Sequence, residues 1–181
     1  MAGRWVGRRV GHGHVPACSL ATQERQVVAM TATSTTMRAL STEQRDALMS
    51  VGREVSFPEG ARIFQEGQRA DRFWIIRTGT VSLDMHVPGR RSPAIDSLGH
   101  GELLGWSWLF APYTWQLGAE AMTPVRAYEF DARDVRKMCA ADPALGAAIG
   151  QWVGMVLAHR LQAARTRLLD LYAPYGSGSP R

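Results

Sequence analysis

Cysteine and lysine are scarce in this 181-residue chain, and long apolar runs are missing. Cys18 and Cys139 stand far apart, and neither sits in a metal-ligand spacing. That excludes a disulfide framework and a zinc site, and it favours a reducing compartment, so a cytoplasmic location is expected. No apolar stretch approaches the ~18 residues of a membrane span, and no membrane partner is expected. The basic start, MAGRWVGRRVGHGHVPACSL, has no continuous apolar segment behind its arginines and makes a poor signal peptide. His12 and His14 lack a third ligand nearby, so no metal is expected. Nor is there a Ser/His/Asp set or a motif of paired carboxylates, and catalysis is not expected. Lys137 is the one lysine; the net charge of +5 is carried by arginines spread along the chain, a weak argument for an anionic partner.

What is present is enough for one domain with a real core: 45% hydrophobic and 20% charged residues in a chain of this length. The stretch around which the rest is organised runs from Leu98 to Ala121, LGHGELLGWSWLFAPYTWQLGAEA. Gly99, Gly101 and Gly105 punctuate its start, and an aromatic run follows. A glycine feeding a one-turn helix leaves backbone N–H groups unpaired and pointing one way, a potential anion cradle. Trp74, Trp106, Trp108 and Trp115, four of the six tryptophans, lie in or just before the stretch. Rigid apolar area beside a glycine loop is either a lined pocket or an aromatic core with glycine turns.

Residues 1–37 are rich in Gly, Arg, Thr and Ser without a sustained period, and read as a disordered leader, with Met30 or Met37 as alternative starts. Order begins at Leu40. Ser41 with Gln44 matches a capping box, Leu40, Gln44, Ala47, Leu48 and Val51 share a helical face, and Gly52 ends the helix. From Arg53 to Phe130 short apolar runs alternate with Gly and Pro: Val55–Phe57, Ile63–Gln65, Arg72–Arg77, Thr80–Val87, Pro93–Leu98 and Val125–Phe130. Six or more such strands predict a mainly β fold with helices, an α+β antiparallel roll or jelly roll spanning 38–141. Asp131 caps a short helix to Ala140. Asp142-Pro143 opens a long one, 142–173, with a flexible tail at 174–181.

The long helix carries a seam at Gly150, Gly154, Leu157, Leu161, Ala164, Leu168 and Leu171, in heptad spacing. A second stripe, Ile149, Trp152, Val153 and Val156, lies beside it. Two stripes need two surfaces, so one is expected on the strands and the other against a second copy, giving a homodimer. Arg160, Arg165 and Arg167 read as a solvated basic face.

The series Phe57, Pro58, Gly60, Ile63, Phe64, Glu66, Gly67, Trp74, Ile76, Gly79, Val81, Leu98, Gly99, Gly101 and Gly105 resembles the cyclic nucleotide-binding domain of the Crp/Fnr superfamily, over about Leu40 to Leu171. The resemblance implies an N-terminal helix, an eight-stranded β-roll with a short inserted helix, and a long C-terminal dimerisation helix. It also implies that the Leu98–Ala121 stretch holds a nucleotide phosphate, with Gly105, Trp106, Ser107, Trp108, Gln116 and Leu117 at the ligand. The sequence departs from the family at Trp106, where nucleotide binders place a glutamate for the ribose. It departs again at Gln116 or Leu117, where they place an arginine for the phosphate; Glu102 belongs to the preceding turn, and Arg126 reads as a surface residue. Ala164-Arg165 replaces the hydroxyl side chains that some cyclic-AMP binders present to the base. Losing a bidentate charged contact removes much of the hold on a cyclic phosphate.

The family's DNA-reading helix-turn-helix has no counterpart in the sequence. The expectation is a non-catalytic sensory or regulatory module, dimeric, acting through a protein partner, and not a conventional cAMP or cGMP binder. A small-molecule or nucleotide ligand is left open. The alternative is a Crp/Fnr-like transcription regulator that still binds a cyclic nucleotide.

Overall fold

The computed structural model describes residues 39–89 and 93–172. The leader 1–37 with His12, His14 and Cys18, and the tail 174–181, lie outside the described residues. Helix α1 (Thr42–Met49) starts as its residues dictate. The Ser41 side chain accepts from the Gln44 N–H, and the Gln44 side chain accepts from the Ser41 N–H. The helix stops at Met49, short of Gly52, whose own role is packing: a Cβ there would lie 2.7 Å from the Phe130 ring. Leu40 and Leu48 anchor α1 in the core, while Val51 remains exposed.

Eight strands follow: β1 (Arg53–Phe57), β2 (Arg62–Phe64), β3 (Arg72–Thr78), β4 (Val81–Asp84), β5 (Ala94–Leu98), β6 (Leu103–Leu104), β7 (Gly118–Ala121) and β8 (Val125–Asp131). A 3-10 turn, Trp106–Trp108, lies between β6 and β7. Helices α2 (Ala132–Ala141) and α3 (Pro143–Tyr172) complete the described chain. The Asp131 carboxylate caps α2 by accepting from the N–H groups of Arg133 and Asp134.

The mixed α+β composition is as expected, but the roll or jelly roll is not what forms. The strands divide into two separate four-stranded antiparallel sheets, in the orders β1-β8-β3-β6 and β2-β7-β4-β5, and neither is closed. The reason lies in the connections. Apart from the β4–β5 pair, consecutive strands change sheet, so no continuous hydrogen-bonded ladder links the two. Register shifts at Arg62/Phe64 and Leu83/Asp84 further interrupt pairing in the second sheet. β1 and β2 are therefore both free edges. One core joins the elements: Trp74 and Ile76 from β3, Leu83 from β4, Phe130 from β8, and Ile149, Trp152, Val153 and Val156 from α3.

The two stripes of α3 separate as their spacing requires. Ile149, Trp152 and Val153 are fully buried, whereas Leu161 and Leu168 are 53% exposed and Leu171 is 79% exposed. The basic face is not simply solvated. Arg160 donates to the Leu103 carbonyl, and Arg167 donates to the Ile95 carbonyl and pairs with Asp96 at 2.8 Å. These arginines clamp α3 onto β5 and β6; Arg165 stays exposed.

Candidate functional site

Gly105 is the pivot of the organising stretch. Its φ of 87° places it in the left-handed region, where a side chain would be strained, and it feeds the 3-10 turn as its N-cap without a side-chain capping bond. The turn thus begins without a side-chain cap. What faces it is an aromatic ring. A Cβ on Gly105 would lie 2.6 Å from the Trp115 indole, so that ring packs against the glycine itself.

Gly105, Trp106, Ser107, Gln116 and Leu117 line one cleft, joined by Phe64, Leu83 and Trp115. Its volume is only about 20 Å³. That is room for a water molecule or two, against the ~300–1,000 Å³ of small-molecule pockets. Trp115 is the reason: it is 4% exposed and stacked on Phe64 at 4.1 Å, and Phe64 stacks in turn on Trp74 at 5.6 Å. Sequence reasoning counted Trp115 among the aromatics without seeing that β2 delivers Phe64 beneath it.

Trp108 is not brought to this cleft. It is fully buried, stacked on Phe73 at 4.4 Å, and Phe73 stacks on Phe130 at 4.8 Å, which makes it core. Trp106 is half-buried, with its ring edge-on to Phe110 at 6.2 Å. Gln116 is exposed, and its amide donates to the Thr114 carbonyl at 3.1 Å. Neither offers the carboxylate or the guanidinium that a ribose and a cyclic phosphate would need. Arg126 is exposed on β8, on neither wall of the cleft. From α2, Arg136 holds the loop by donating to the Trp108 carbonyl at 2.6 Å and lying over the Tyr113 ring at 4.6 Å.

Two carboxylates have partners that the sequence reading did not foresee: Glu102, placed there in the preceding turn, is half-buried, and Glu129, which it did not single out, is buried. Glu102 accepts from the Gly99 N–H at 2.6 Å, and burial pushes its carboxyl above the usual range against the opposing pull of that bond and of Arg160. Glu129 sits opposite Trp74 in the β3–β8 register and accepts from Arg53, Arg72 and the Trp74 indole. Burial pulls its carboxyl upward, but the bonds from Arg53 and Trp74 and the charge of Arg72 outweigh it and hold it below the usual range. A signal existed in the alternation of β8, where Glu129 falls on the same face as Val125 and Ala127. Cys139 is half-buried, and burial raises its thiol. Among the described residues, no cluster of three or more His, Cys, Asp or Glu is placed for a metal ion, and no helix is long and apolar enough to cross a membrane.

Residues 54–142 match the family model of the cyclic nucleotide-binding domain. A CRP-like cAMP-activated global transcriptional regulator of Mycobacterium tuberculosis is 32% identical over 117 residues, which cover 65% of this chain and 50% of the relative. The chain therefore spans about half the length of the curated relatives it matches. Among solved structures, a Geobacter metallireducens protein named for cyclic nucleotide binding aligns with a TM-score of 0.63 at 28% identity, covering 76% of this chain and 96% of its own. The N-terminal domain of a transcriptional regulator from Streptomyces coelicolor aligns with a TM-score of 0.59 at 27% identity, covering 70% and 88%.

Proposed function

The chain carries a cyclic nucleotide-binding domain of the Crp/Fnr type, and from that premise we propose that it is a dimeric regulator whose nucleotide cleft is closed to cAMP and cGMP. The family is a regulatory class and not a catalytic one. The observation that carries the reading is the cleft of about 20 Å³ with Trp115 pressed against Gly105. A cyclic nucleotide entering there would have to displace a ring stacked on Phe64, and it would find Trp106 and Gln116 where charged partners are needed. Gly105, Trp106, Ser107, Gln116 and Leu117 remain the residues that any smaller ligand would meet, and Trp108 serves the core behind them.

For the assembly, the support is the largely exposed stripe of α3, which continues past the half-buried Leu157 to Leu161, Ala164 and Leu168. Gly150, Gly154, Leu157, Leu161, Ala164 and Leu168 form one side of the helix, and a Cβ on Gly150 or Gly154 would meet nothing within 4 Å. A second α3 can pack closely there, as heptad seams do. The regulator would act in the cytoplasm through a partner.

The second reading is a Crp/Fnr-like transcription regulator that still binds a cyclic nucleotide. The comparisons favour it over the closed-cleft reading, because the curated relatives that match are cAMP-activated transcriptional regulators, whereas the closed-cleft reading rests on the geometry of the cleft. The two readings agree on regulation and part at the cleft. Native mass spectrometry of the full chain separates them: the closed-cleft reading predicts a dimer carrying no nucleotide after addition of cAMP. A dimer that gains the mass of one nucleotide per subunit establishes the second reading instead.

A further inference from the structure

The free edges β1 and β2 border a second hollow, much larger than the cleft, with a volume of about 470 Å³. That is within the ~300–1,000 Å³ of small-molecule sites. Phe57 from β1 and Ile63 from β2 are half-buried at its rim. At its floor lie Phe64, Trp74 and Trp115, with Phe57 edge-on to Trp74 at 6.3 Å. The tryptophans are 4% exposed, so the accessible apolar contact in the hollow is offered by Phe57 and Ile63.

The charges are unevenly matched. Glu129 on the floor is shared by Arg53 and Arg72, which leaves the trio one positive charge in surplus. Asp71 and Arg69 also line the hollow and offset each other in the count. Among the described residues Arg69 has no ion pair, side-chain hydrogen bond or ring contact, and it is exposed. The Arg72 side chain is 46% exposed. Two guanidinium groups therefore stand beside an apolar rim, a combination suited to a ring bearing one negative charge.

We propose that this hollow is a small-molecule site for a planar aromatic carboxylate. The ring rests on Phe57 and Ile63, and the carboxylate is met by Arg69 and by the part of Arg72 that Glu129 does not engage. The site is distinct from the nucleotide cleft, although Phe64 and Trp115 wall both, and it does not depend on how that cleft reads cAMP.

Benzoate and its neutral isostere benzamide are the probes, titrated into the full chain and followed by ligand-observed NMR. Benzoate is small, so a dissociation constant on the order of 1 mM is expected, with benzamide about tenfold weaker. Arg69→Gln should weaken benzoate about tenfold and leave benzamide unchanged, since it removes one charge-assisted contact. Arg133→Gln, which removes an equal charge from exposed α2, should change neither. The proposal is overturned if wild type binds benzoate no better than benzamide, or if Arg69→Gln, folded by circular dichroism, binds benzoate as wild type does. Equal losses in the two arginine variants would also overturn it, because the effect would then be general charge.

Discussion

A charge placed in the exposed seam of α3 should split the proposed dimer. Leu161 is the test position because it is 53% exposed and lies away from the buried stripe of Ile149, Trp152, Val153 and Val156. Fully burying a leucine is worth ~1.5–3 kcal/mol; with about half of Leu161 left to bury, truncation forfeits ~1 kcal/mol per copy. In a symmetric pair the loss counts twice. Each Asp introduced by Leu161→Asp must also be dried or kept out of the seam, at ~2 kcal/mol or more per copy. The sum is ~6 kcal/mol, a rise of ~10⁴-fold in the dimer dissociation constant. The monomer itself should be spared, since the second stripe and the clamps of Arg160 and Arg167 hold α3 to the sheets independently of Leu161. Light scattering after size exclusion reads the mass directly, with circular dichroism to check folding. A folded variant of the same mass as the parent would refute the seam.

Other expectations concern the packing and charges around the cleft. Gly105→Ala should destabilise the fold by at least ~2 kcal/mol in urea, because it combines a positive φ with a Cβ driven into Trp115. Trp108→Ala should cost ~3–5 kcal/mol as a core truncation, whereas Trp106→Ala, half-buried, should cost clearly less. The pH dependence has opposite signs at Glu129 and Glu102. Glu129 has a lowered folded pKa, so its contribution is present above the ordinary carboxyl value of about 4.5 and is lost as pH falls through the folded value. The stability gap between wild type and Glu129→Gln should therefore shrink as acid is added. Glu102 has a raised folded pKa, so the folded state holds its proton longer than the unfolded chain does. Its ionisation costs stability as pH rises from about 4.5 through the folded value, and Glu102→Gln should flatten that part of the urea-midpoint profile.

Local signals in the sequence carried much of the fold. The Ser41–Gln44 box, the Asp131 cap and Pro143 at the start of α3 act within a few residues of themselves, and each is where its chemistry puts it. The two stripes of α3 were legible for the same reason. β6 and β7 were not, because Leu103–Leu104 and Gly118–Ala121 are too short or too small-residue to show a period of two. The division into two open sheets was hidden as well, since strand partners are chosen over long separations that no local pattern records. At the candidate site, the glycine at the start of the short helical turn was visible. The ring that packs against it was not, because that depends on Phe64 and Trp115 meeting across 51 residues (115 − 64). Arg160 and Arg167 misled for a related reason: a cation on a helix looks solvated until a carbonyl from another strand arrives beside it.

Isothermal titration of cAMP and of cGMP into the wild-type chain tests the closed cleft most directly. The geometry predicts dissociation constants weaker than about 100 μM for both, since a missing charged partner commonly costs ~2–5 kcal/mol and two are missing. The double variant Trp106→Glu with Gln116→Arg, which supplies those partners, should bind more tightly than wild type. A low-micromolar constant for either nucleotide on the wild type would contradict the account: Trp115 would then have to leave Gly105 at little cost.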